Sequence, residues 1–250
     1  MTDTERFSEL CKQDAYMPRP LSGVGISIYN EKRLHRILKS YISGNESAYE
    51  IPMGRYVADI FENGHITEIQ TANMERLLPK LRFYLENTEY SVTVVYPIIR
   101  NKIIFRVDGD SGELIRQRMS PDHGKLWDAL PPLYHIRELL PNDRLTVRVL
   151  LIDASEYRYS EAIRYRKEGR YVSELFPTEL VLELELSDLE SFKQLLPDIT
   201  HHFTAAEYSA VTKRKGRDLY SALNLFCSLG LLDRQKDGKR YVYKKAQSDM

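Results

Sequence analysis

Asp59 and Glu68 are the two residues of this 250-residue chain whose type and spacing best suit chemistry. They sit in two apolar segments, Val57-Ala58-Asp59-Ile60 and His65-Ile66-Thr67-Glu68-Ile69-Gln70-Thr71, joined through Asn63-Gly64, a strong hairpin signal. Both are therefore expected on neighbouring strands. Burying an unpaired carboxylate costs several kcal/mol or forces protonation, so a cation is expected to offset the pair. Two carboxylates and the backbone carbonyl of Ile69 form a hard oxygen set suited to Mg2+ or Mn2+. Such an ion polarises a scissile phosphate and acidifies a bound water. Glu31 or Glu50 could complete the ligand set, and Gln70 could orient the attacking water. A pair of salt-bridged strand carboxylates is the plain alternative.

The elements that would position these groups follow from periodicity. Asn30 is expected to cap a helix running to about Ile42, with Leu34, Ile37, Leu38 and Tyr41 as its apolar stripe and Gly44 beyond its end. Glu31, His35 and Lys39, spaced four apart, share another face, either as a solvated stripe or as the rim of the site. Three strands are expected at Glu50–Met53, Tyr56–Phe61 and Ile66–Ile69. A helix over 74–86 follows, then strands at Tyr90–Tyr96 and Lys102–Val107 separated by Pro97. Further strands are expected at Leu145–Ile152 and Glu179–Leu186. This order describes an α/β fold with a mixed central sheet flanked by helices.

Glu31, Asp59 and Glu68-Ile69-Gln70, in this order of elements, resemble the PD-(D/E)xK nuclease superfamily, which includes restriction enzymes and Holliday junction resolvases. The resemblance covers roughly residues 30–107 and implies a restriction-endonuclease-like core. It further implies a metal-dependent phosphodiesterase with Asp59, Glu68, Gln70 and Glu31 as catalytic residues. Gln70 stands where the family usually carries Lys, replacing an ammonium with a neutral amide that can only hydrogen-bond. That departure supports a second expectation, a catalytically inactive nuclease fold that binds DNA or regulates.

Charge distribution adds a second module. Between Lys213 and Lys245 ten Lys/Arg face three acids, an excess of +7 in a chain whose net charge is zero. Helices are expected over Asp188–Leu196, from Thr204, and from Gly216 or Arg217 to Gly230, before a hairpin around Asp237-Gly238. This order reads as a small winged-helix domain. Arg217, Tyr220, Ser221 and Asn224 would face a groove, while Lys213, Lys215, Lys236, Lys239 and Arg240 meet phosphates. His35, Lys39, Arg118 and Lys125 are further candidate phosphate contacts, the last two from a basic loop over 116–125 (with Arg116). Arg158, Arg164, Arg166, Lys167 and Arg170 alternate with tyrosines and could track a strand. The partner expected is nucleic acid, DNA ahead of RNA, and a homodimer is allowed.

The expected division is an extension over 1–29, a nuclease-like domain over 30–186 and the winged helix over 187–250. No apolar run reaches the roughly 20 residues that cross a bilayer. The N-terminus lacks a signal-peptide pattern, and two distant cysteines give no disulfide framework. A cytoplasmic setting is expected. No Walker loop, GxSxG elbow or HExxH helix is present.

Overall fold

The computed structural model describes residues 2–15, 26–108, 111–160, 172–199 and 202–246, with the side chains of 15, 26–32, 160 and 172–174 outside that description. A seven-stranded mixed sheet carries helices on both faces. Helices α1 (Asp3–Ala15) and α2 (Ile26–Ile42) precede β1 (Tyr49–Met53), β2 (Tyr56–Glu62) and β3 (His65–Ile69). Next come α3 (Met74–Asn87), β4 (Ser91–Asp108), β5 (Leu114–Met119), the single turn α4 (Leu130–Leu133), β6 (Leu145–Ser160) and β7 (Val172–Leu186). The strand order is β1-β2-β3-β4-β6-β7, and β5 pairs with the far half of β4. Strand β4 runs parallel to β3 and β6; the remaining neighbours are antiparallel.

One face of the sheet is covered by α1 and α2. Phe7, Cys11, Leu34, Ile37, Leu38 and Tyr41 bury Ile69, Val95, Leu150, Ile152 and Leu180 there. The expected 1–29 extension is thus corrected over its first half. Residues 3–15 form a helix opened by a capping box, with Glu5 N–H donating to Thr2 Oγ1 at 3.2 Å and Thr2 N–H to Glu5 Oε2 at 2.7 Å. Its last turn buries Asp14, which accepts from Arg36 Nε at 3.0 Å and faces Arg33 Nε at 3.4 Å. The following helix begins at Ile26, earlier than the Asn30 expected.

Strand β4 is a second correction. The two strands expected on either side of Pro97 are one strand of 18 residues. Pro97 has no N–H to give, and none is needed. Val95 points its backbone at β3, since Gln70 N–H donates to Val95 O at 2.9 Å. By alternation Pro97 points the same way, but β3 ends at the Ile69↔Val95 rung. Beyond it β4 bulges between Ile99 and Lys102. Gly124 closes on the bulge, donating to Ile99 O at 3.2 Å and Arg100 O at 2.9 Å. The edge left open by β3 is then taken by β5, so residues 116–119 of the expected basic loop are strand.

The opposite face is covered by α3, α4 and the C-terminal segment. That segment comprises α5 (Leu189–Lys193), β8 (Phe203–Thr204), α6 (Ala205–Thr212), α7 (Gly216–Ser228) and the hairpin β9 (Leu232–Asp237)–β10 (Arg240–Lys245), with β8 pairing β10. Thr204 caps α6, its Oγ1 accepting from Glu207 N–H at 3.3 Å. Helix α7 packs on α4 and on the 3-10 turns of Tyr134–Leu139, and Arg214 pairs with Asp128. Leu130, Leu133 and Ile136 therefore share one continuous core with Leu219, Leu223 and Phe226.

Candidate functional site

The hairpin β2–β3 opens into a fork at its acidic end. Its rungs run Glu62↔His65, Phe61↔Ile66 and Ile60↔Thr67; Asp59 opposite Glu68 would be next, and that rung is not formed. Instead the Asp59 carboxylate takes the place of a backbone acceptor, with Ile69 N–H donating to Oδ2 at 2.7 Å. Because Gln70 N–H faces β4 and Ile69 N–H faces Asp59, the Ile69 carbonyl also points into the fork. The space so opened is a cleft of about 310 Å3 lined by His35, Asp59, Glu68, Ile69, Gln70, Thr71, Arg76, Leu77 and Lys80.

Each acid has protein cations beside it. His35 Nε2 lies 3.1 Å from Asp59 Oδ1, and Lys39 Nζ lies 3.9 Å from the same oxygen. Burial works to raise the Asp59 carboxyl, but the hydrogen bond and charge of His35, the Ile69 N–H and the charge of Lys80 outweigh it and hold it below its ordinary range. Glu68 is 3% exposed. Lys80 Nζ donates to its Oε2 at 2.5 Å and Tyr84 Oη to its Oε1 at 3.1 Å. Burial first, then the charge of Asp59, nevertheless push Glu68 up to about 7 against the pull of Lys80 and Tyr84. The site thus pairs an ionised acid with one poised to hold a proton near neutrality.

The expected site residues fare differently. Asp59, Glu68, Ile69, Gln70 and His35 share the cleft. The Gln70 amide is turned back to donate to Ala72 O. Lys39, expected at the rim as a phosphate contact, is buried and bound to Glu50, because the acids around it draw its ammonium inward. Potential ligand atoms of His35, Glu50 and Asp59 lie within 4.8 Å of one another; Glu68 is not in that group. Glu31 stands one turn before His35 on α2, and its side chain lies outside the described residues. So do Arg164, Arg166, Lys167 and Arg170.

Lys80 and Tyr84 are site residues outside the set expected from the sequence. Their signal is present: Leu77, Lys80, Leu81 and Tyr84 sit at i, i+3, i+4 and i+7, which places Lys80 on the core-facing stripe of α3. A lysine on such a stripe needs an acid on the sheet beneath it.

In the C-terminal segment Lys213, Lys215, Arg217, Lys239 and Arg240 are exposed, as are Tyr220 and Tyr241. Ser221, expected to face a groove, is buried, because α7 is packed by α4 and the turns of Tyr134–Leu139 as well as by α6. Among its exposed or half-buried residues, the side chains α7 offers that suit a nucleic-acid contact are Arg217, Tyr220 and the half-buried Asn224. Arg118 is exposed on β5 and Lys125 is exposed beside the Trp127 ring.

Residues 32–187, the sheet with α2 and α3, match the model of a family described as Domain of unknown function (DUF8091). The chain belongs to the DUF8091 family. Its acidic fork lies wholly within the matched segment, and the family match stops just past β7. A curated relative, an uncharacterized protein of Treponema pallidum (strain Nichols), is 28% identical over 167 residues. The alignment covers 65% of this chain and 63% of the relative's length. No solved structure matches the chain. Among the described residues no helix is long and apolar enough to cross a membrane.

Proposed function

We propose that this DUF8091 protein is a metal-dependent nuclease with a restriction-endonuclease-like core, acting on nucleic acid, DNA ahead of RNA. The observation that carries the reading is the strand fork that brings Asp59, Glu68 and the Ile69 carbonyl to one open cleft beside Lys80. These oxygens are a hard donor set fitting Mg2+ or Mn2+, and Glu68, raised by burial and by the charge of Asp59, is a carboxyl that a divalent ion would draw into its ionised form. Asp59 and Glu68 would hold the ion, with Ile69 O, while Glu50 and His35 flank Asp59. When bound, the ion supplies charge neutralisation at the phosphate and an acidified water.

The chain's own residues supply the rest. Lys80 carries into the cleft the ammonium that Gln70 does not, from the following helix instead of the strand. There it can donate to a phosphate oxygen or to the attacking water once Glu68 turns to the ion. Arg76 stands one turn earlier on the same helix and lines the same cleft, placed to meet the neighbouring phosphate. The C-terminal segment supports a winged-helix reading in which the exposed Lys213, Lys215, Arg217, Lys239 and Arg240 hold the backbone.

Purified protein should cut plasmid or oligonucleotide only with Mg2+ or Mn2+. Asp59→Ala should abolish cutting, and Lys80→Met should slow it by about 10²–10³, the usual cost of losing a donor to transition-state charge. Cleavage that persists in Asp59→Ala or in EDTA refutes the proposal. A second reading, an inactive nuclease fold that binds nucleic acid, is favoured by the cations already on both acids and by the Gln70 amide turned to Ala72. Absence of cutting on all substrates, with no calorimetric Mn2+ binding, selects it.

A further inference from the structure

A second concentration of charge lies on the far half of β4. Arg106 stands directly opposite Arg116 on β5 and beside Arg158 on β6, so three arginines form one row across three strands. Two residues earlier along β4 the row is Arg118, Ile104 and Glu156. The four arginines, with Ile104 as floor, line one cavity of about 220 Å3. Like charges directly opposite on a sheet destabilise it, so such a row calls for anionic charge.

Glu156 supplies some, but it is already shared. It accepts from Arg158 Nε at 2.8 Å and Nη2 at 3.2 Å, and it pairs with Lys102 Nζ at 2.7 Å. Every residue of β5 is exposed, so Arg116 and Arg118 are reached from solvent on an edge strand. Planar guanidinium forks around a cavity of this size match the tetrahedral oxygens of phosphate groups.

We propose that the arginine row binds phosphate groups, carried by a nucleic-acid strand. It is separate from the acidic cleft: Arg106 is eleven residues along β4 from the Ile69↔Val95 rung, about 35 Å of extended strand. The division of labour follows from sign. In the cleft a phosphate must compete with Asp59 and Glu68 for cations that already face them, whereas the row presents arginines from three strands around one cavity. The identity of the phosphate carrier rests on the nucleic-acid reading above; the site itself does not.

The test is binding in EDTA, where cleavage plays no part. Anisotropy of a fluorescein-labelled 30-mer is measured across a salt series for wild type, Arg116→Ala/Arg118→Ala, Arg116→Glu/Arg118→Glu and Asp59→Ala. Circular dichroism melts check that each variant folds. The alanine pair should weaken binding at least tenfold and lower the salt slope by about 1.4 for a single strand or about 1.8 for duplex, two phosphate contacts' worth. The glutamate pair should weaken it further, and Asp59→Ala should not weaken it. Wild-type affinity and slope in both arginine variants overturn the proposal. Inorganic tripolyphosphate is titrated in parallel; if the variants lose it while keeping the 30-mer, the strand is overturned as carrier. Loss of binding in the arginine variants with metal-independent cutting would sink the nuclease reading and leave this site standing.

Discussion

Replacing Glu68 with Gln should stabilise the protein at alkaline pH, and the size of the effect follows from its surroundings. Glu68 is buried, sits next to an ionised Asp59, and titrates near 7 in the fold against 4.5 for the free group. The folded state therefore holds a proton between those values that the unfolded chain has released. Stability from this group is fully present below about 4.5 and is lost as pH rises through about 7. At pH 8 the ionised carboxylate costs the fold about 3 kcal/mol. Glutamine removes that cost; its carbonyl can still accept from Lys80, and its NH2 can donate to Tyr84 Oη. In urea denaturation at pH 8, Glu68→Gln should exceed wild type by up to about 3 kcal/mol, roughly 6–12 °C in Tm. The gap should shrink through pH 6 and vanish near pH 4. Saturating Mg2+ at pH 8 should raise the Tm of wild type but not of the variant, because a divalent ion meets the same charge. A variant less stable than wild type at pH 8, or a gap independent of pH, refutes the account of Glu68.

Asp59→Asn should lose metal-dependent cutting and part of the stability at neutral pH, because the amide oxygen still accepts from Ile69 N–H but the charge held by His35 and Lys80 is gone. Asp59→Ala should cost in addition about 1–3 kcal/mol in denaturant melts, from that N–H losing its acceptor. Gly124→Ala should destabilise by about 2 kcal/mol or more, since a Cβ there would lie 2.3 Å from the backbone oxygen of Ile99; a calorimetric melt reads it. Asp14→Ala should cost about 3–5 kcal/mol, because it removes the carboxylate facing buried Arg33; urea titration followed by tryptophan fluorescence checks this.

The hairpin, the helix after it and the C-terminal helices and hairpin were legible because local signals fix them: alternation about Asn63-Gly64, the leucine spacing of α3, the Thr204 cap. What was hidden depends on distant parts of the chain. Pro97 looks like a strand end until β3 is seen to stop before it. The Phe7, Leu10, Cys11 stripe of α1 is short and runs into Asp14, whose burial makes sense only beside Arg33 and Arg36 of α2. Asp59 and Glu68 were found through their apolar neighbours, which demanded positive charge. The sequence offered no way to tell that Lys39 and Lys80 would come so close to them. The arginine row is equally long-range: no spacing within one strand says that Arg106, Arg116 and Arg158 fall on a single rung.

The packing of α7 on α4 has a consequence for how this family is built. The DUF8091 match ends at 187, yet Leu130, Leu133 and Ile136 inside it are covered by residues outside it. A protein cut at the family boundary would present those side chains to water as an adhesive apolar patch. Any relative holding the sheet without an equivalent of α7 must therefore have found another lid for the same ground, from its own chain or a neighbour's. The boundary that similarity draws and the boundary that folding requires are different lines.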